Sequence, residues 1–468
     1  MSVSKSFSQR RRVIARESRT SQTLHHSVDD GMAFSAMSGG GETYFTAFAL
    51  FLRATAGQVA LLSTLPALIG SLAQLLSVWL ERRLQHRKTV VLAGALFQAC
   101  VWLPLAVLAM YPPVSAAAWL LLLFTLYYGA GHLTLTAWTS LMGDIVPVRR
   151  RSRYFAYRTS STNMISFVAL VLAGCILHVS DQMSFTWAGF VAIFLLACAC
   201  RMLSAWHIGA MHEPERHRHK TSPVPDVRAF AHMRAFRFSG YIVLMQCAVA
   251  IASPFFAVYM LRDLRFSYFE FMVNTGTAVL VQFITLNRWG RIGDVFGNRL
   301  ILVITGMLIP LMPLLWVVSG NYWYLFLIQA CAGLAWGGFN LSAGNLLYEL
   351  VPSPQRAAYV ALHNVFTALG VFAGAMLGAT LLQVLPERTT FFGDHAVSTM
   401  LLNVFLVSTA IRLLVSACFL HRIRETGQAR RPMSARQFIF RVSRFNAFLG
   451  LYYDLVADSS RDKKDSNH

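Results

Sequence analysis

Glu42 directly follows three glycines, in SGGGETYF, near the middle of an apolar run over residues 32–53. A carboxyl among apolar side chains is costly to keep charged, so this position could take up and release a proton or pair with a ligand cation. The glycines weaken a helix and let a neighbouring backbone or a ligand come close. The plainer alternative is a carboxyl paired permanently with a helix neighbour for packing. Three arginines also lie inside apolar runs: Arg158 in YRTSSTN, Arg201 and Arg412. Arg158 and Arg201 sit near run ends and can snorkel to lipid headgroups. Arg158 and Arg412 could instead hold an anionic solute.

The elements that carry these residues follow from composition. A 468-residue chain that is 56% hydrophobic and 13% charged, with a mean hydropathy of +0.50, has too little polar surface to be covered by water. Twelve runs are long enough to cross a hydrocarbon core: 32–53, 59–80, 89–110, 116–141, 155–178, 184–208, 239–261, 267–287, 299–318, 322–346, 358–384 and 397–420. Backbone polar groups must be satisfied within each run, so the expected fold is an all-α integral membrane protein.

The net charge of +20 is mostly topology rather than a nucleic-acid footprint. Of the 41 Lys and Arg residues, 35 fall in the tails and even-numbered loops; the odd loops hold only Arg53, Arg262, Arg265 and Arg388. The positive-inside rule then places both termini in the cytoplasm, with the excess available to anionic headgroups. All seven cysteines lie inside the runs, so no disulfide framework is expected, and Cys198 with Cys200 reads as packing. The loop 211–238, with ERHRHK, divides the chain; its His212, His217 and His219 read as a solvated basic linker rather than a metal site. The expected organisation is a cytoplasmic tail over 1–28, bundles over 29–210 and 239–421, and a tail over 422–468. Within that last tail, residues 437–454 have the pattern of an amphipathic surface helix.

DIVPVRRRSRYFAY, from Asp144 to Tyr157, is repeated as ELVPSPQRAAYVAL, from Glu349 to Leu362. In both copies an acid precedes Val-Pro, an arginine follows (Arg151, Arg356) and a tyrosine (Tyr154, Tyr359) opens the next apolar run. A period of about 205 residues in an apolar chain points to two fused half-bundles.

The loop GRIGDVFGNR, from Gly290 to Arg299, resembles the cytoplasmic loop motif of the major facilitator superfamily. Gly290, Asp294, Gly297 and Arg299 match, whereas Val295 and Leu300 stand where the family has basic residues. The first-half counterpart keeps Glu81, Arg82, Arg87 and Lys88 without the glycines. The resemblance implies twelve transmembrane helices in two pseudo-symmetric six-helix bundles, and a cytoplasmic gate. Glu81, Asp294, Arg299, Arg151 and Arg356 are its gating candidates. It also implies that the first, fourth, seventh and tenth helices line a central cavity. On them, His132 would share proton coupling or substrate binding with Glu42, and Trp138, Gln246, Gln329, Trp336 and Asn340 would line the substrate cavity. For His132 the alternative is a structural histidine, and for the tryptophans it is interfacial anchoring.

The function expected is secondary active transport of a small organic solute, sugar-like or amphipathic and drug-like, by a monomer using protons and no cofactor. A bacterial inner membrane is the expected location. The alternatives are a lipid-handling protein, a membrane-embedded enzyme or a transporter-like sensor; no DxD or HxxEH string supports the enzyme.

Overall fold

The computed structural model describes residues 2–83, 87–146, 151–213, 234–351, 356–386, 389–392, 395–397 and 399–420. Side chains are not described at 2–19, 74–83, 136, 140, 143–144, 151–153, 156, 294–295, 348, 356–358, 361 and 389–397. The gating side chains of Glu81, Asp294, Arg151 and Arg356 therefore lie outside the described residues, as do the linker histidines His217 and His219 and the whole of 421–468.

Among the described residues, eleven helices are long and apolar enough to cross a membrane by length and composition. The first span completes the twelve and is discontinuous. It runs Ser2–Gly40, turns through a tight 3-10 segment at Glu42–Tyr44, and resumes at Phe45–Phe51. Nothing in the sequence before Gly39 stops this helix, so it extends through the segment read as a tail; Thr23, Ser27 and Val28 are already buried in the bundle. Spans two to six are Ala56–Arg83, Arg87–Met110, Ala116–Ile145, Arg151–Gln182 and Thr186–Ala210.

The second half repeats this plan. Its seventh span is Arg234–Ala250 followed by Ser253–Val258 and a wide π turn at Tyr259–Asp263. The eighth, Tyr268–Phe296, starts on a reciprocal cap between Ser267 and Glu270, which satisfies orphan backbone donors. The ninth is Asn298–Leu308 and Leu311–Val318, interrupted just before Pro310. Spans ten to twelve are Tyr322–Leu350, Arg356–Val384 and Met400–Phe419. A short antiparallel hairpin, Thr389–Phe392 with His395–Val397, lies between the last two. In sequence, the Thr and Phe residues before Gly393-Asp394 have hairpin character.

Packing differs between the two ends of the molecule. At the end away from the termini, a single apolar cluster takes in Phe48, Phe190 and Phe194 of the first half together with Phe255, Trp316 and Phe405 of the second. At the terminus-bearing end the halves keep separate cores, one around Leu141, Met142 and Ile208, the other around Tyr241, Phe339 and Leu346. Across the joined end, Gly174 of the fifth span receives Met272 of the eighth: a Cβ there would lie 2.7 Å from the methionine Cβ. The helices can close so tightly only because that side chain is missing.

Candidate functional site

The break in the first span is built by Gly39 and Gly41. A Cβ on Gly39 would collide with the Ser166 carbonyl of the fifth span, and one on Gly41 would lie 2.5 Å from the Trp102 ring. The small residues thus let the first span press against its neighbours where its hydrogen-bond ladder is interrupted, and the break sets the direction of Glu42. Its carboxylate accepts from Ser38 Oγ at 2.7 Å and from Tyr127 Oη at 2.5 Å. Tyr127, on the fourth span, is fully buried among Phe45, Trp102 and Tyr128.

From Tyr127 a chain of polar groups continues through the half-bundle. Gln98 Nε2 donates to the Tyr127 carbonyl at 3.2 Å, and Gln98 Oε1 accepts from Arg201 Nη2 at 2.6 Å. Arg201 Nη1 donates to Ser204 Oγ at 2.7 Å, which in turn donates to Asp30 Oδ1 at 2.6 Å. The other Asp30 oxygen faces Arg158 Nη2 at 3.8 Å. Arg158 also donates to the Ser27 carbonyl at 3.2 Å and lies 4.2 Å above the Trp138 ring. Two acids, Glu42 and Asp30, and two arginines, Arg158 and Arg201, are thereby gathered in one connected interior. Such burial is tolerable because each charge meets an opposite charge or several hydrogen bonds.

This arrangement changes the reading of several residues. Arg201 does not snorkel: it is 2% exposed and its guanidinium is held between Gln98 and Ser204. Arg158 points inward to Asp30 rather than to headgroups. Asp30, which the sequence places at the edge of the first run, is a buried member of the chain. Trp138 serves as a platform for Arg158. His132 packs against Gly70 of the second span, where a Cβ would strike its ring. In the second half, Gln246, Gln329 and Trp336 are half-buried and Asn340 is exposed. Trp336 stands edge-on to Phe339 at 5.7 Å and packs against the second-half core.

The repeat carries over into geometry. Tyr154 donates to Ser27 Oγ at 2.8 Å, and one turn later comes Arg158. Their counterparts Tyr359 and His363 both meet Ser239, each at 2.9 Å. Arg412 occupies the last span of the second half as Arg201 does in the first, but its partners are neutral: Ser408 Oγ at 3.0 Å and the carbonyls of Ile309 and Val249 at 3.3 and 3.2 Å. Among the described residues no carboxylate approaches it within the reach of an ion pair. The ionic interior belongs to the first half.

At the terminus-bearing end each half has a polar latch. Gly297, at a φ of 94°, lets the chain turn into the ninth span, and Asn298 then donates to Glu349 Oε1 at 3.0 Å and accepts from Asn345 at 3.1 Å. Arg299, beside it, is exposed. In the first half the Glu213 carboxylate accepts from the backbone N–H of Arg87 at 2.9 Å and of Lys88 at 3.4 Å. Lys88 Nζ caps the sixth helix through the Gly209 and Met211 carbonyls at 2.6 and 2.7 Å.

Two cavities open beside these elements. One, of about 280 Å³, lies between the fifth and eighth spans and is walled mostly by apolar groups such as Met164, Phe167, Val279 and Phe283, with Asn163 and Gln282 among them. The other, of about 520 Å³, sits at the joined end beside Arg53, Asp181 and Arg262.

Comparison with known proteins agrees with this architecture. Curated relatives include a low-affinity glucose transporter, HXT1, of Saccharomyces cerevisiae, 29% identical over 85 residues, or 18% of this chain and 15% of that protein. A vacuolar membrane amino acid uptake transporter, fnx2, of Schizosaccharomyces pombe is 28% identical over 115 residues, 24% of this chain and 20% of the relative. The matched segments thus span a fifth or less of these relatives' length. Among solved structures, the nucleoside transporter NupG superposes with a TM-score of 0.64 at 13% identity, covering 86% of this chain and 100% of that one. A bacterial homologue of the lysosomal transporter Spinster, inward-facing and occupied, gives 0.62 at 12% identity over 88% and 99%. At such identities these structures speak to the fold. A family model described as Major Facilitator Superfamily matches residues 31–252 and again 238–453, one match for each half. The chain belongs to the Major Facilitator Superfamily, which makes it a membrane transport protein rather than an enzyme.

Proposed function

We propose that this protein is a proton-coupled secondary transporter that moves a small organic solute by alternating access of its two halves. The observation that carries the reading is Glu42, presented at the break of the first span and linked through Tyr127 and Gln98 to the buried Arg201, and onward through Ser204 and Asp30 to the half-buried Arg158. With Glu42 charged, two acids balance two arginines. A proton on Glu42 leaves one acid against two arginines, a change that favours rearrangement of the helices sharing the chain. The joined apolar core at one end and the divided cores at the other supply the two gates that alternating access needs. With both termini cytoplasmic, as the distribution of Lys and Arg implies, this conformation faces inward; an inner membrane fits that sidedness.

The solute class suggested by relatives named for glucose, amino acids and nucleosides is small, polar and neutral. A second reading, an amphipathic or lipid-like substrate, is favoured by the largely apolar cavity between the fifth and eighth spans.

Flux into proteoliposomes under an imposed pH gradient tests both. Hexoses, nucleosides, amino acids, cationic drugs and labelled lipids are compared for the native protein and Glu42→Gln. Gradient-driven accumulation lost in Glu42→Gln supports the proposal. Accumulation unchanged in that variant removes Glu42 from coupling, and no flux of any class overturns the transport reading.

A further inference from the structure

His26 and Asp29 stand one turn apart on the first helix, and His207 meets them from the last turn of the sixth. Nδ1 of His26 lies 3.1 Å from Nδ1 of His207, and that His207 nitrogen lies 3.9 Å from Asp29 Oδ2. One ligand atom from each residue falls within 4.8 Å of the others. In a tetrahedral zinc site with metal–nitrogen bonds of about 2.0–2.1 Å, neighbouring ligand atoms are about 3.3 Å apart. The two imidazole nitrogens are near that spacing already, and the carboxylate needs only a small rotation to reach it.

The donor set has a chemical preference. Two imidazoles and one carboxylate suit zinc and its first-row neighbours, whereas magnesium and calcium call for all-oxygen sites. Three protein ligands leave a fourth position for water. The Asp29 side chain is 42% exposed, which gives an ion a way in. Trp206 stands edge-on to both imidazoles, with ring centroids 6.3 and 4.8 Å away, and limits their rotation.

We propose that His26, Asp29 and His207 bind a zinc-class divalent cation that clamps the first span to the sixth at the terminus-bearing end. The ion is a resident ligand and not cargo. Both helices belong to the same half, whereas a solute carried by alternating access binds between halves. The clamp reaches the buried polar chain directly: one turn before His207 is Ser204, and one turn after His26 is Asp30, the pair joined at 2.6 Å. A dication here adds positive charge beside the acid that Arg158 and Arg201 share. The competing arrangement is a bare imidazole–imidazole hydrogen bond, with one ring donating and the other accepting.

Titration calorimetry with zinc chloride, on full-length protein purified without a polyhistidine tag, separates the two. The native protein is expected to bind one zinc ion per chain and to ignore magnesium and calcium at the same concentrations. His26→Gln and His207→Gln should each weaken zinc binding by more than about tenfold, while His217→Ala/His219→Ala in the linker leaves it unchanged. Cobalt added to native protein should give the intense visible bands of a four-coordinate site, absent in His207→Gln. Each variant is first checked for a single symmetrical gel-filtration peak, with Asp29→Asn as the substitute ligand variant if one histidine variant aggregates. Failure of zinc to bind, binding unaffected by the ligand variants, or binding lost in the linker variant would each overturn the proposal.

Discussion

Tyr127 is bonded at both ends: its phenol donates to Glu42 at 2.5 Å, and its backbone carbonyl accepts from Gln98 at 3.2 Å. One residue thus joins the break in the first span to the arginine chain of the sixth. A side chain that moves with Glu42 must drag or release the helix that supports Gln98, so the two features form a single unit.

Removing the phenol tests that unit. Tyr127→Phe keeps the ring and its packing but leaves a Glu42 oxygen without its donor, and should cost about 1–3 kcal/mol of stability. Thermal unfolding in detergent measures the loss. Substrate affinity should change more in Tyr127→Phe than in Tyr128→Phe, whose hydroxyl makes no comparable bond to Glu42 among the described residues.

Arg201 and Asp30 are predicted to be energetically coupled. Arg201→Met leaves Asp30 and Gln98 short of a partner and should destabilise by about 3–5 kcal/mol. Adding Asp30→Asn should restore part of it, with a coupling of about 0.5–3 kcal/mol in a double-mutant cycle. Strict additivity would mean that Ser204 does not transmit the interaction.

The close approaches at the break are predicted to be intolerant of side chains. Gly39→Ala would drive a methyl into the Ser166 carbonyl, and Gly41→Ala would press one onto Trp102. Each should lower stability by about 1–3 kcal/mol. Gly57→Ala, where a Cβ meets open space, should be near neutral.

Wedging the joined end should trap the protein with that end open. Gly174→Leu cannot accommodate Met272, so a cysteine placed beside Tyr259 should label faster with a membrane-impermeant thiol reagent than in the parent protein. Solute exchange should fall at least about tenfold while binding persists. Unchanged labelling would show that the fifth and eighth spans do not form this gate.

The twelve spans, the duplication and the weak point of the first span at its glycines are legible, because run length, repeat spacing and three consecutive glycines are local signals. Even the divergence of the halves is visible in the aligned repeat, where Arg158 stands opposite His363. Arg201 was misread because its position near a helix end fits snorkelling equally well, and only the fold reveals that Gln98 and Ser204 meet it. Asp30 hid for a similar reason, at the edge of an apolar run whose helix starts much earlier. His26 and His207 are 181 positions apart, with no spacing rule to connect them.

The shared aromatic cluster at the joined end has a consequence for the membrane that hosts the protein. Phe48, Phe190, Trp316 and Phe405 offer a passing ion almost nothing to replace its hydration shell, so the resting protein is an electrical insulator through that layer. A cell can therefore hold many idle copies without short-circuiting the ion gradients across that membrane.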